Sequence, residues 1–358
     1  MKALITAGGR ATRLRPITYT WNKHLIPLAG KPMLFYALEK IAETGIRDVG
    51  IIVNPGESIL QNIVGNGGRW GMRITYIEQT GGPLGIAHAV KIAQPFLGNE
   101  PFIFYLGDNI ILGSVKKFVE RFEREGLNCL LALSRVKDPQ RFGVPEIKDG
   151  RIIRVEEKPQ NPKSNFAVSG IYLYDKIFFD AFDKIAPSSR GEYEISDIHS
   201  ELIRAGAKVG FEEITGWWKD TGKPEDLLHG NQLILEELGR GAMLNLGETH
   251  PDAVIQGKVS VGKGTVIGPD VLIRGPVIIG ENCKIEKSYI GPYTSIGGNC
   301  AIAGGEIEHS ILFDGVSINC NARIVDSLIG AGATVVSSSS SLPLGHKMIA
   351  GDNCYIEI

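Results

Sequence analysis

Three arginines and a lysine, set in a glycine-rich stretch near the start of the chain, are the residues best suited to chemistry. Gly8-Gly9-Arg10-Ala11-Thr12-Arg13-Leu14-Arg15-Pro16 is followed by Lys23-His24-Leu25-Ile26-Pro27. Adjacent glycines let backbone N–H groups crowd around an anion, and successive donors form an anion-binding nest. Guanidinium groups add planar donors matched to phosphate oxygens. A strand running into a solvated basic loop is the plain alternative, and Gly-Gly alone does not decide between the two. The cluster of Arg10, Arg13, Arg15 and Lys23 behind a first strand favours a polyphosphate site. There is no Gly-Lys-Ser/Thr, and the glycine spacing is not that of a dinucleotide fingerprint.

Two carboxylates stand in comparable places. Asp108 comes just after the apolar run Phe102-Ile-Phe-Tyr-Leu106, and Asp220, in Trp217-Trp218-Lys219-Asp220, lies in a similar setting after a short strand. Open α/β sheets place ligands at the carboxyl ends of their strands. Carboxylates from two distant strands can share one Mg²⁺, with phosphates and water completing the octahedron. Taken singly, Asp108 in Gly-Asp-Asn reads as a turn residue, and Glu156-Glu157-Lys158-Pro159 reads as a solvated strand end.

The elements that must position these groups alternate. A strand at 2–6 precedes the basic loop. Leu34, Ala37, Leu38 and Ile41 lie at helical spacing behind Pro32, which suits the first helical position. Strands are expected at 49–53, 73–78 and 102–106, with helices at 56–65 and 85–94 between them. This predicts a doubly wound, mainly parallel α/β sheet. Short strands follow at 129–134, 144–147, 152–156 and 167–174, then helices at 176–184 and 194–205. A strand at 208–214 and a helix opened by Pro224 close the domain.

Beyond about residue 250 the period becomes six. Ile255, Val261, Ile267, Ile273, Ile279 and Ile285 lead; Ile290, Ile296 and Ile302 continue after a shorter step. Val259, Thr265, Val271, Val277 and Cys283 recur between them. Such hexapeptide repeats stack aliphatic side chains in inward ladders, with glycine allowing tight corners, and resemble the left-handed parallel β-helix. The expected domains are 1–242 and 250–358, with Ser337 to Ser341 a low-complexity end or loop.

The 38 basic and 40 acidic residues leave a net charge of −2, which argues against a general nucleic-acid or membrane-surface binder. No apolar run approaches the roughly 20 residues of a membrane span, and glycines interrupt any secretion signal at once. A cytoplasmic protein is expected. Cys129, Cys283, Cys300, Cys320 and Cys354 lack CxxC spacing and read as reduced thiols, without zinc.

The basic stretch resembles the signature of sugar-1-phosphate nucleotidylyltransferases, Gly-Gly-x-Gly-Thr-Arg-Leu-x-Pro and then Lys-x-Leu-x-Pro, with Ala11 in place of the third glycine. Leu106-Gly-Asp-Asn109 and Trp218-Lys-Asp-Thr-Gly222 are similar to that family's two metal motifs, and Glu156-Glu-Lys-Pro159 to its sugar-phosphate motif. With the C-terminal repeats, nearly the whole chain resembles the long form of the glucose-1-phosphate thymidylyltransferases. That resemblance implies condensation of dTTP with glucose 1-phosphate to give dTDP-glucose and pyrophosphate. It implies Mg²⁺ on Asp108 and Asp220, and catalytic roles for Arg13 and Lys23. The nucleotide falls to Ala7, Gly8, Gly9, Thr12, Arg13, His24, Gln79 and Gly85. The sugar phosphate falls to Gly143, Glu157, Lys158, Val168, Tyr172, Arg190 and Trp218. His24 stands where the family has a base-contacting glutamine, and Phe142 where it has a tyrosine. The attacking phosphate oxygen is already anionic, so a single in-line displacement needs cations and no general base.

Three other readings remain open at this point. One keeps the fold and changes the substrates, to UTP or another nucleotide, or to another sugar 1-phosphate. The β-helix could add acetyl transfer with His309 or His346 as base. The chain could be a non-catalytic scaffold, although Arg13, Lys23, Asp108, Lys158 and Asp220 are all present. A homo-oligomer is expected, with the β-helix serving assembly outside the active site.

Overall fold

The computed structural model describes residues 1–239, 244–337 and 350–357. These form two compact units, and the chain passes between them more than once. One unit comprises Met1–Arg10 and Met33–Asp220; the other comprises Ala11–Pro32 and the described residues of Thr221–Ile358. Among the described residues, no helix is long and apolar enough to cross a membrane.

The first unit is built on a seven-stranded sheet. From edge to edge its strands are Val209–Glu213, Cys129–Arg135, Phe166–Tyr174, Phe102–Leu106, Lys2–Thr6, Asp48–Val53 and Arg73–Glu78. All neighbours run parallel except Phe166–Tyr174, which is antiparallel to both of its partners. Lys2–Thr6 and Phe102–Leu106 have no exposed core residues; Ala3, Leu4, Ile5, Phe102, Ile103, Phe104 and Tyr105 are wholly buried. Strands covered on both faces need such continuous apolar runs. The fold is therefore the expected doubly wound, mainly parallel sheet.

Element bounds fall close to the sequence expectation, with three differences. Pro32 lies in a short strand, Lys31–Pro32, paired with Pro27–Leu28, and the helix Met33–Ala42 begins just after it. The helix Lys116–Glu125 has no counterpart in the sequence reading; its charged surface hides the inward trio Phe118, Val119 and Phe122. Asp220 does not follow its strand but ends it, within Trp218–Asp220.

The C-terminal repeats wind as a left-handed parallel β-helix of three parallel sheets. Ile255 stacks on Ile273, then Ile290, Ile307 and Ile324, and the other two sheets do likewise. The ladder residues form one buried core that includes Cys283, Cys300 and Cys320, and all the cysteines are free thiols. Glycine takes left-handed turns as expected at Gly257, Gly264, Gly304, Gly305, Gly315 and Gly332, and has a second part elsewhere. Gly262 and Gly280 are not needed for left-handed turns. A Cβ on Gly262 would sit 2.5 Å from the carbonyl carbon of Gly280, and one on Gly280 would sit 2.6 Å from that of Gly297. Successive coils touch backbone to backbone in this column. Several left-handed positions are held by side-chain-bearing residues, among them Asp270, Asn282, Asn299 and Asp326. Asn and Asp tolerate this conformation better than most. The expected low-complexity run lies, beyond Ser337, outside the described residues, as does His346.

The same unit contains the helix Pro224–Glu237 and the loop Ala11–Pro32. Pro224 occupies the first turn, and the Asp226 carboxylate accepts from the Lys223 N–H at 3.1 Å, capping the helix start.

Candidate active site

The chain order of the large sheet reverses between Lys2–Thr6 and Phe102–Leu106, which are adjacent and in register from Lys2 opposite Phe102 to Thr6 opposite Leu106. A crevice outside the strand ends is expected at such a switch. Ala7-Gly8-Gly9 leaves from the first strand and Gly107-Asp108 from the second, and the Gly107 N–H donates to the Thr6 carbonyl at 3.0 Å.

Gly9 is left-handed, with φ 105°. Its N–H donates to Asn54 Oδ1 at 2.8 Å, and its carbonyl accepts from Asn54 Nδ2 at 3.1 Å. One donor of the expected nest is thus tied to a side chain, and Asn54 fixes the loop's shape. Gly8 faces Asn54 and Gln79: a Cβ there would lie 3.4 Å from Gln79 Oε1. Gly8, Gly9 and Gln79 are therefore brought together. Gly85 has other neighbours. With φ 100°, it lies against Tyr193, whose carbonyl oxygen a Cβ would approach to 2.6 Å.

The two candidate metal carboxylates meet through a small ladder. Asn109–Ile111 pairs antiparallel with Trp218–Asp220, and Asp220 stands opposite Asn109, the residue after Asp108. Asn109 Nδ2 donates to Asp108 Oδ1 at 2.9 Å, and Asn109 Oδ1 accepts from the Trp218 indole at 2.6 Å. The Trp218 ring meets Phe142 edge-on at 5.1 Å. Burial pushes the Tyr172 hydroxyl far above its usual range, and Glu157, Asp108 and Asp220 each push it further. All three carboxylates thus lie within electrostatic reach of one buried tyrosine. Val168 and Tyr172 flank an irregularity in the pairing of Phe166–Tyr174 with Cys129–Arg135. Inside it, Gly170 lets Asn109 approach; a Cβ would lie 2.9 Å from Asn109 Nδ2.

Among the described residues, no group of three or more His, Cys, Asp or Glu side chains forms a metal cage. Asp108 and Asp220, brought near one another by the ladder, would together offer two carboxylates as oxygen donors. That set suits Mg²⁺, which commonly takes one or two carboxylates and leaves its other positions to water and phosphate.

A second cluster gathers Gly143, Glu157, Lys158 and Arg190. Glu157 stands opposite Gly143 in the hairpin of Gly143–Lys148 and Arg151–Glu157. Its carboxylate lies 3.5 Å from Lys158 Nζ and 3.9 Å from Arg190 Nη2, and it accepts from Ser196 Oγ at 2.7 Å. Arg190 is itself gripped by Glu194, which takes hydrogen bonds from Nε at 3.1 Å and Nη2 at 2.8 Å. Two cations on one half-exposed carboxylate suit an anionic, hydroxylated ligand.

The remaining candidates lie in the β-helix unit. Thr12–Leu14 is a 3₁₀ turn that begins after Ala11, and Thr12 and Arg13 are exposed. Ala11 takes φ 42°, the conformation for which glycine is favoured. Its carbonyl accepts from the Leu14 N–H at 3.0 Å and Thr18 Oγ1 at 2.8 Å, which holds it there. Arg15 lies over the Tyr19 ring. Lys23 and His24 belong to a second 3₁₀ turn, capped by Asn22. Asn22 Oδ1 accepts from the His24 N–H at 2.9 Å and lies 3.0 Å from its Nδ1, so Nδ1 carries the proton. His309, the described candidate for acetyl transfer, pairs Nδ1 with Asp326 at 2.5 Å, and its Nε2 is buried without a partner.

A family profile described as nucleotidyl transferase matches residues 2–237. The chain belongs to the nucleotidyl transferase family. It is an enzyme of the long form, in which the β-helix follows. A profile described as the GMPPB C-terminal domain matches residues 273–357. The chain is 44% identical to a glucose-1-phosphate thymidylyltransferase of Streptomyces antibioticus over 100% of this chain and 99% of the relative. It is 41% identical to the low-salt glycan biosynthesis nucleotidyltransferase Agl11 of Haloferax volcanii, over 100% of both. A Bacillus anthracis crystal structure, assigned as a glucose-1-phosphate thymidylyltransferase and solved with sucrose, shares 38% identity at a TM-score of 0.62, covering 67% of this chain and 96% of that one. The positioning residues Asn54, Asn109, Glu194 and Ser196 of this nucleotidyl transferase escaped sequence reasoning. Only Asn109, inside a family motif, carried a signal.

Proposed function

We propose that this enzyme transfers a thymidylyl group from dTTP to glucose 1-phosphate, releasing pyrophosphate and forming dTDP-glucose. The observations that carry this reading are the ladder that sets Asp220 opposite Asn109, the residue after Asp108, and the flanking of Glu157 by Lys158 and Arg190. On this reading the first pair would hold a hard cation and the second cluster a hydroxylated anion. Whole-chain likeness to the Streptomyces antibioticus enzyme supports the same substrates. Mg²⁺ would be held by Asp108 and Asp220, and when bound it supplies positive charge against crowded phosphate oxygens. Lys158 and Arg190 hold the sugar phosphate, and Glu157 accepts from sugar hydroxyls, with Gly143, Val168, Tyr172 and Trp218 around the ring. Arg13 and Lys23 neutralise the triphosphate and the departing pyrophosphate. Gln79 reads the base, with Gly85 against it and Ala7, Gly8, Gly9, Thr12 and His24 completing the nucleotide site. The enzyme acts in the cytoplasm as a homo-oligomer. Val254, Val266 and Val325, exposed on the β-helix faces, support subunit contact.

UTP is a second substrate on this reading. Thymine and uracil share the edge that Gln79 can pair, and one methyl group discriminates weakly. His24 is buried with its Nδ1–H committed to Asn22, so it does not duplicate the paired donor and acceptor of a glutamine. Pyrophosphate release over a panel of nucleotides and sugar 1-phosphates tests both points. We expect dTTP to be preferred or equal to UTP, with purine nucleotides poor. Higher rates with ATP or GTP, or no release with any sugar 1-phosphate, would overturn the assignment.

A further inference from the structure

We propose that the β-helix unit positions the nucleotide-handling cations, through a buried asparagine on the helix Pro224–Glu237 that anchors the loop Ala11–Pro32. The proposal rests on the reading above that Arg13 and Lys23 serve the triphosphate.

The loop cannot shape itself. It contains only 3₁₀ turns and one short pair of strands, and such turns have poor hydrogen-bond geometry and little stability of their own. What holds it lies in the same unit. Asn231 is wholly buried, and its amide joins three segments. Its Oδ1 accepts from the Ala29 N–H at 2.8 Å and from Ser295 Oγ at 2.7 Å, and its Nδ2 donates to the Tyr293 carbonyl at 2.9 Å. The loop, the helix and a β-helix coil therefore share one side chain. Loss of that amide would leave the buried Ala29 N–H without its acceptor and take a donor from the Tyr293 carbonyl.

Two further contacts fix the loop's angle. Ala29 and Gly30 take φ 46° and 74°, the pair of left-handed residues of a tight hairpin turn. That turn sits on the β-helix, and a Cβ on Gly30 would lie 3.1 Å from Ile278 Cγ2. Trp21 meets Phe313 edge-on at 5.7 Å, and Tyr19 is hydrogen-bonded by Asn353. Leu14, Leu25, Ile26 and Leu28 are buried beneath. Arg13 and Lys23 stand on this anchored scaffold. Displacing a catalytic group by about 1 Å can cost roughly 100-fold in rate, so anchorage this distant from the cations still bears on turnover.

The test compares Asn231→Leu and the milder Ser295→Ala with the parent full-length enzyme, varying nucleotide and sugar 1-phosphate separately. Arg13→Ala is the control, and amide hydrogen exchange follows the loop. In Asn231→Leu, kcat/KM for nucleotide should fall on the order of 10- to 100-fold, while KM for sugar phosphate stays within about twofold. Exchange should quicken in the loop and not in Phe102–Leu106. Ser295→Ala should move the same way by less, and it decides the matter if Asn231→Leu does not fold. Equal loss for both substrates, or none, in a folded variant would overturn the proposal while Arg13→Ala remains impaired. If Arg13→Ala handles nucleotide normally, the role given to Arg13 fails first, and the positioning claim falls with it.

Discussion

The sheet unit and the β-helix unit use glycine for opposite ends. In the β-helix, Gly262 and Gly280 keep successive coils in contact along one column. In the sheet unit, Gly170 sits where strand pairing breaks down and lets Asn109 reach in beside Asp108. Regularity stabilises one unit, and local exceptions to regularity carry chemistry in the other. A substitution that adds one methyl group should therefore be read out as stability in the first case and as activity in the second.

The largest expected effect probes the exceptions directly. Asp108→Asn and Asp220→Asn keep shape and remove charge, and each should lower Mg²⁺-dependent pyrophosphate release by about 100-fold or more, the scale of losing one strong electrostatic stabiliser. Metal-free nucleotide binding should change little. Near-normal turnover in both folded variants would remove the metal assignment and the contrast with it.

Next comes the regular unit. Gly280→Ala places a Cβ 2.6 Å from the Gly297 carbonyl carbon, a backbone atom that can move only if the coil moves. A loss of about 2 kcal/mol is expected from such overpacking, measured by chemical denaturation. Gly170→Ala, by contrast, should reduce turnover more than it lowers stability. A reversed pattern would show that the two glycine roles had been misassigned.

A smaller effect depends on pH. His199 is wholly buried beside Tyr174, 2.6 Å from its hydroxyl, and burial holds its pKa down at about 3 against an ordinary 6.5. The unfolded chain therefore binds the extra proton first as pH falls below 6.5. This contribution is fully present above that value and is lost progressively towards the folded-state pKa. Between pH 7 and 5.5 it should cost about 1 kcal/mol, and His199→Gln should flatten the curve by that amount. Unchanged acid sensitivity in that variant would contradict the stated cause.

The smallest effect concerns Ala11. Its left-handed φ of 42° costs an L-residue about 1–2 kcal/mol, partly offset by glycine's greater freedom in the unfolded chain. Ala11→Gly should raise stability by about 0.5 kcal/mol. A fall in thermal midpoint would show that the loop is shaped to need the methyl group.

Legibility in the sequence followed the same division. The β-helix could be read from Ile255, Val261, Ile267 and their successors because burial repeats with the chain. The parallel strands were legible from unbroken apolar runs such as Phe102–Leu106. Asp108, Glu157 and Asp220 could be singled out by motif, but the approach of Asp220 to Asp108 depends on a three-residue ladder that leaves no periodic trace. Lys116–Glu125 was hidden because its seven charged residues outweigh its inward face. Asn231 looks like any polar residue on a helix; its partners, at 29, 293 and 295, are distant in sequence.

That separation has a consequence in time. Ala29 leaves the ribosome long before Tyr293 and Ser295 exist, and at about 5–20 residues per second the delay is on the order of tens of seconds. Throughout it, the loop lacks the coil residues Tyr293 and Ser295 that share its Asn231 anchor. The sheet strands between them can pair as they emerge, whereas the arginine-bearing segment must wait for nearly the last part of the chain. A nascent chain halted before the β-helix should accordingly show protected amides in Lys2–Thr6 and Asp48–Val53 and unprotected ones from residue 11 to residue 32.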